Sequence, residues 1–231
     1  MKFSQWPRSA KELLILVLLM LGTTAVFWLT DLDIDTAARF YHPEDKVNAW
    51  PSRHWWLWEI FFDGASPVIV SAAVLAVLVV VVSYFQPKLQ RWRRQCVYVL
   101  LVIAIGPGLV VNLVFKDHWG RPRPTHIHEF GGEYQYIPPL QLGHTPDKSF
   151  VCGHCSVGYS VIVLYFLAQH YKLLYLGITL FLAGMMGYSR MAAGGHFFSD
   201  VLWSGYLVFL VAYLLYYGWY CRGETRRDEI E

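Results

Sequence analysis

The stretch YSRMAAGGHFFSD, residues 188–200, sets Arg190, His196 and Asp200 at the head of an apolar run. With a helix beginning near His196, Asp200 falls one turn later on the same face. A carboxylate there can keep one imidazole nitrogen protonated and leave the other free as nucleophile or base. Arg190 ends the preceding apolar run, and Ala192, Ala193, Gly194 and Gly195 form a small, flexible link that can fold its guanidinium over His196. An isolated His and Asp at a helix start usually form a cap, so the reading depends on what the fold brings to them.

Two further stretches carry chemistry. KDHWGRPRP, residues 116–124, holds Lys116, Arg121 and Arg123 with His118 among them, and two prolines fix the backbone around them. Closely spaced guanidinium and ammonium groups suit an oxyanion such as phosphate, Arg giving a two-pronged contact and Lys a point charge. The competing reading is a helix end anchored at lipid headgroups. In SFVCGHCS, residues 149–156, Gly153 permits close backbone approach to a ligand and the helix start offers free N–H groups. His154 there can donate or accept a proton, or simply cap the helix. Cys152 and Cys155 bracket it in a Cys-x-x-Cys pattern, a dithiol redox motif that is diagnostic only in a thioredoxin-like βαβ context, which this chain lacks. Two thiols and nearby histidines also fall short of a four-ligand zinc spacing, so no metal and no cofactor is expected.

The elements that must position these groups are apolar. Of 231 residues, 55% are hydrophobic and 16% charged, well below the ~25% charge of soluble domains, and a net charge of +2 argues against a nucleic-acid partner. Apolar runs stand at about 13–29, 67–85, 96–115, 155–169, 173–188 and 197–220. Six transmembrane helices in an all-α bundle are the expected fold, in one membrane domain covering 1–231. The first run is long for a signal peptide and is followed by Asp31 and Asp33 instead of a cleavage site. Lys2, Arg8 and Lys11, then Lys88, Arg91, Arg93 and Arg94, then Lys172, then Arg222, Arg226 and Arg227 flank the spans on one side. The positive-inside bias makes that side cytoplasmic, with both termini. The opposite side receives 31–66, 116–154 and 189–196, and so all three polar clusters. Trp50, Trp55, Trp56 and Trp58 suit a separate helix lying in the interface on that side, beside an outer loop. Convergence of three clusters on one surface favours a site over a set of caps.

Lys116 and Arg123-Pro124, then Gly153-His154, then Ser189-Arg190, His196 and Asp200 together resemble the three signature motifs of the type 2 phosphatidic acid phosphatase superfamily of lipid phosphate phosphatases, in order and in spacing, over about residues 90–220. The resemblance implies a metal-independent phosphatase working through a phosphohistidine. His196 would attack phosphorus, oriented by Asp200, and His154 would protonate the leaving oxygen and then activate water. Lys116, Arg123 and Arg190 would hold the phosphoryl oxygens with the Gly153 amide and the Ser189 hydroxyl. One departure is Cys152, where the family has a serine; a thiol is a weaker donor than a hydroxyl. Cys152 and Cys155 could also form a disulfide that restrains the loop. The run GPGLVVNLVFKDHWGRPRP with the later EFGG resembles the bacterial lipid A 1- or 4'-phosphatase branch, which implies an inner-membrane protein with a periplasmic site. In that reading His118, Trp119 and Arg121 contact the headgroup of a lipid substrate in the bilayer. Undecaprenyl diphosphate or phosphatidylglycerol phosphate would satisfy the same motifs. So would transfer of the phosphoryl group to an alcohol. A non-catalytic lipid-binding protein and a membrane dithiol oxidoreductase are the readings from other classes.

Overall fold

The computed structural model describes residues 6–45 and 47–222. Lys2, Arg226 and Arg227 of the expected cytoplasmic charge set lie outside the described residues. In chain order, α1 spans Arg8–Leu29, α2 Leu32–Ala38, α3 Trp56–Val82, α4 Gln90–Ile103, α5 Gly153–Ser160, α6 Val163–Leu167, α7 Lys172–Ala192 and α8 Phe198–Leu215. The membrane protein is all-helical in its regular structure, and five segments among the described residues are long and apolar enough to cross a bilayer: Arg8–Leu29, Trp56–Val82, Pro87–Lys116, Lys172–Ala192 and Phe198–Tyr220. Leu18, Leu21 and Leu29 of α1 and Val68 and Leu75 of α3 are exposed, as suits helices whose outer faces meet lipid. α8 is the inner helix, more than half of it buried.

The fourth expected span differs. Gly153–Leu167 is broken by a turn at Val161 and Ile162. At about 1.5 Å per residue it rises roughly 22 Å, short of the ~30 Å hydrocarbon core. It is held inside the bundle by close packing. A Cβ added at Gly158 would sit 2.7 Å from Cα of Ala183 in α7, and one at Gly205 of α8 would sit 2.6 Å from the Tyr159 ring.

The Trp-rich segment is not a separate interfacial helix. α3 begins at Trp56 and runs through Pro67, so the expected second span starts a dozen or so residues earlier than its hydropathy suggests. Proline costs one backbone hydrogen bond, which a long helix in lipid tolerates because its flanking turns remain intact. Trp58 is buried against Trp55 and Tyr188, while Trp50 packs with Tyr41 and Phe130 in a small core beneath the 117–152 segment.

α4 continues as a π-helix over Ala104–Lys116. Pro107 has no N–H to give to the ladder there, and its carbonyl accepts from the Asn112 side chain at 2.7 Å. The wider turn carries Lys116 to the end of the bundle where α5 and α8 begin and α7 ends. At the opposite end, Arg94 donates to the carbonyls of Trp219 and Tyr220, and Arg8 and Lys172 lie over the Tyr165 ring at 5.3 and 5.9 Å. The apolar chain thus has one end of cations on aromatic faces and one end of buried polar groups.

Candidate active site

His196 precedes α8 instead of lying in its first turn, since Phe197 is the helix cap and Asp200 the third helical residue. Only 2% of its surface is exposed. Its Nδ1 lies 2.7 Å from the Ser149 carbonyl oxygen and 3.5 Å from Asp200 Oδ2. A carbonyl only accepts, so Nδ1 carries the proton and Nε2 keeps its lone pair. The expected orienting role of Asp200 is therefore shared, with Ser149 making the shorter contact. Burial pushes the His196 imidazole below its ordinary pKa, against the pull of Asp200, and Arg190 and Lys116 lower it further. At neutral pH the ring is neutral.

Asp200 does more than face His196. Its Oδ2 accepts from the Phe197 amide at 2.8 Å and the Ser149 hydroxyl at 2.6 Å, and its Oδ1 accepts from Arg121 Nη1 at 2.5 Å. The expected headgroup role of Arg121 is overturned by this contact and by full burial of the side chain. Its Nη2 donates 2.9 Å to Asp33 Oδ2, its Nη1 also reaches the Ser199 hydroxyl at 2.8 Å, and its Nε reaches the Ile137 carbonyl at 2.7 Å. With Nη2 also 3.4 Å from the Tyr136 hydroxyl, all five N–H groups have partners within the protein. Burial penalises the Arg121 charge, but Asp200 and Asp33 outweigh it and hold its pKa above the usual arginine value. Asp33, from α2, accepts the Ser199 amide at 2.8 Å and the Tyr136 hydroxyl at 3.0 Å. It is thus a cap for α8 supplied from far away in the chain.

The link from Arg190 to His196 is close-packed, not flexible. Gly194 has φ +65°, and a Cβ there would fall 2.6 Å from both Thr125 and the Trp50 ring. A Cβ on Gly195 would fall 2.6 Å from Arg190 Nη2, so the bare backbone is what lets the guanidinium lie over this turn. The Arg190 guanidinium also sits 4.7 Å from the Phe62 ring centre, and His154 stacks on the same ring at 4.3 Å. Gly153 is similarly constrained, since a Cβ would lie 2.5 Å from Asn112 Oδ1 and 3.1 Å from Lys116 Nζ.

Lys116, Arg123, His154, Arg190 and His196 come together. Lys116 feels the charges of Arg123 and Arg190, and burial, followed by the charges of Arg190, Lys116 and His196, pushes the His154 imidazole down to about 4. Among the described residues, Arg123 Nε and Arg190 Nε are the buried side-chain donors with no partner. Buried donors in a cluster of three cations call for an anion with several acceptor oxygens. A cavity of about 300 Å³ adjoins this group, lined by Lys116, Gly153 and His154 and by Ser66, Ile69 and Ile103 from the flanking helices.

Other expected site residues stand apart. His118 is exposed, with Nδ1 2.8 Å from the Leu113 carbonyl, and Trp119 packs on Phe115 and donates to the Gln141 carbonyl. The Ser189 hydroxyl is buried and donates 2.7 Å to the Met186 carbonyl within α7. Cys152 and Cys155 are joined in a disulfide, so Cys152 has no S–H to offer an oxyanion. Phe62, Asn112 and Ser149 escape a reading of the sequence; phenylalanine and serine recur throughout the chain, whereas Asn112, one of two asparagines, is a polar break in an apolar run that could have signalled it. Asp33 is visible there only as part of an acidic segment.

Fold and site together define a helical membrane protein with two imidazoles set among three cations at one end of its bundle. A family model described as the PAP2 superfamily matches residues 95–223, more than half of the chain. The chain belongs to that superfamily, and its class is that of a membrane phosphatase, a phosphoric monoester hydrolase. It is similar to the lipid A 4'-phosphatase of Francisella tularensis subsp. novicida (strain U112), 35% identical over 197 residues, 80% of this chain and 85% of that protein. The lipid A 4'-phosphatase of Rhizobium leguminosarum is 30% identical over 64% of this chain and 66% of its own length. A lipid A 1-phosphatase of Rhizobium etli is 28% identical over 60% of each. No solved structure matches the chain significantly.

Proposed function

We propose that this phosphatase removes a phosphate from lipid A at the periplasmic face of a bacterial inner membrane, through a phosphohistidine on His196. The 4'-phosphate is the first candidate, because a relative matched over 80% of the chain carries that name. The observation that carries the chemistry is the state of His196: one tautomer fixed by the Ser149 carbonyl, with Nε2 free beside three cations. In that reading His154, which takes up a proton once the bound phosphate offsets the charges of Arg190 and Lys116, gives it to the leaving oxygen as Nε2 attacks phosphorus in line and the P–O bond to the sugar breaks. His154 then takes a proton from water, whose oxygen attacks phosphorus and restores His196. Lys116, Arg123 and Arg190 neutralise the charge on the equatorial oxygens, where most of the barrier lowering in phosphoryl transfer arises.

The cavity between α3, α4 and α5 supports a substrate whose tails stay in lipid, since it joins apolar walls to Lys116 and His154. Sidedness rests on the basic end carrying Arg8, Lys11, Arg91, Arg93 and Arg94, which the positive-inside bias assigns to the cytoplasm, together with both termini. Undecaprenyl diphosphate and phosphatidylglycerol phosphate would meet the same cations, and an alcohol could replace water in the second step.

The test uses purified protein in detergent with bisphosphorylated lipid A, the two alternative lipids, and mass analysis of products. Release of one phosphate from lipid A, abolished by His196→Ala and unaffected by chelator, is the expected outcome. Faster turnover of either alternative lipid would reassign the substrate. Loss of activity in chelator would overturn the chemistry.

A further inference from the structure

His196 faces one buried carboxylate, Asp200, at 3.5 Å, which a single buried guanidinium joins to a second, Asp33. The charged and titratable groups around it are Asp200 on α8, Asp33 on α2, Arg121 and Tyr136 from the 117–152 segment, Lys116 at the end of the helix that continues α4, His154 on α5 and Arg190 on α7, with Arg123 beside the last cations. Asp33, Asp200 and Arg121 are all fully buried. Such a cluster is expensive to desolvate and is weak evidence for stability, so its presence asks for another role.

Asp200 paired with Arg121 alone would be neutral. Asp33 adds a second carboxylate, and the three side chains together carry a formal charge of minus one. That excess matters at one moment of the proposed reaction. When His196 Nε2 bonds to phosphorus and Nδ1 keeps its proton, the ring becomes cationic, and a neighbouring net negative charge stabilises it. The same contacts fix geometry: Asp33 holds the Ser199 amide, Arg121 holds Asp200, and Asp200 holds the Phe197 amide, so the turn bearing His196 is tied to α2.

We infer that Asp33 and Arg121 are positioning residues for this reaction, which hold Asp200 and the start of α8 in place and set the charge beside His196 at minus one. The inference rests on the phosphohistidine reading above. Neither side chain touches substrate, so their loss acts on turnover while KM is kept.

Three variants separate charge from geometry, read as kcat and KM against pH with bisphosphorylated lipid A in detergent. Asp33→Asn keeps the shape and removes one negative charge. His196 then protonates less readily, and the acid limb of kcat/KM moves to lower pH by about half a unit or more. Its kcat falls roughly 10- to 100-fold, as for other groups that orient a reacting residue, with KM within about twofold. Arg121→Lys keeps the charge but not the forked contacts, so kcat falls while the limb stays. Asp33→Asn with Arg121→Met leaves Asp200 alone, restores minus one, and returns the limb to its wild-type position. A limb that does not move in Asp33→Asn overturns the inference, as does a displaced limb in the double variant. Wild-type kcat in Arg121→Lys, or a loss confined to KM in any of the three, also overturns it, so each variant recovered folded is decisive by itself. The functional reading fails separately, through a wild-type protein that releases no phosphate or a His196→Ala protein that still does.

Discussion

The ring of His196 is fixed by polar contacts and that of His154 by an aromatic face. Around His196, the Ser149 carbonyl takes Nδ1–H, Asp200 stands behind, and Arg121 and Asp33 hold Asp200 in turn. Around His154, Phe62 stacks at 4.3 Å, and among the described residues no hydrogen bond ties either ring nitrogen. The two arrangements suit two different tasks. A nucleophile must present the same nitrogen in every turnover, and a network that admits only one tautomer ensures this. A group that gives a proton in one step and takes one in the next gains from being held in place with neither nitrogen committed. Stacking does that, because it orients the imidazole through its face and engages neither ring nitrogen.

Replacing each histidine is the strongest way to break this contrast. His196→Asn should lower phosphate release by about 10⁴-fold or more and leave no acid-labile phosphoprotein. His154→Asn should slow turnover by about 10²- to 10⁴-fold yet allow a phosphoprotein to accumulate, since the second step has lost its base. Quenched single-turnover reactions with labelled lipid would show both. Accumulation in His196→Asn, or none in His154→Asn, would exchange or dissolve the roles. Acid offers a second approach. The buried His196 titrates below its usual value of about 6.5, so the acid limb of kcat/KM should lie below that pH. Stability has the same sign: the unfolded chain binds the proton first, so Tm should start to fall as pH drops through about 6.5. His196→Asn should flatten that part of the Tm profile only in part, since burial and the neighbouring cations push His154 down to about 4 and give it the same sign.

Next in size is Gly153→Ala, which sharpens the His154 half of the comparison. The new methyl would lie 2.5 Å from Asn112 Oδ1 and 3.1 Å from Lys116 Nζ, displacing the amine or the start of α5. A shift near 1 Å at a reacting group costs about 10²-fold in kcat, so a loss of that order is expected by steady-state assay. Phe62→Leu should be milder. An aromatic contact contributes about 0.5–1.5 kcal/mol, which corresponds to a roughly two- to tenfold fall in kcat/KM, and Phe62→Trp should keep the platform and most of the rate. Equal losses in the leucine and tryptophan variants would show that the face of the ring is not what holds His154.

The sequence shows one side of this contrast far better than the other. His196, Asp200, His154 and the three cations are conspicuous because ionisable residues are scarce in an apolar chain, and topology alone gathers them at one surface. Phe62 is one of 14 phenylalanines and has no such contrast. Ser149 meets His196 through its backbone carbonyl, which any residue would supply, and its hydroxyl on Asp200 is one among many serine hydroxyls in the chain. Arg121 is misassigned from sequence because charge type does not distinguish a guanidinium aimed at a ligand from one aimed at a carboxylate. What decides it is Asp33, which lies 88 positions earlier and is brought near only by the packing of α2 on α8. The span boundaries follow hydropathy well where a helix is lipid-exposed. They fail at α3, where Pro67 looks like a start but is interior, and at α5–α6, whose short length is compensated by burial within the bundle.

The smallest effect should come from the disulfide, although it brackets His154 directly. Cys152 is held independently of its sulfur: its amide donates to the Asp200 carbonyl at 3.2 Å, and its carbonyl accepts from the Ser204 hydroxyl at 2.8 Å. Closing so short a loop constrains the unfolded chain little, about 2 kcal/mol at most by loop entropy. Replacing Cys152 and Cys155 with serine should therefore lower Tm by a few degrees and keep most of kcat/KM. The Cys152→Ser change would moreover bring back a hydroxyl, the better donor, beside the Gly153 amide. A dithiol oxidoreductase would instead lose its function outright in the same double variant. Measuring phosphate release from that protein thus decides whether the sulfurs serve the histidine between them or a separate chemistry.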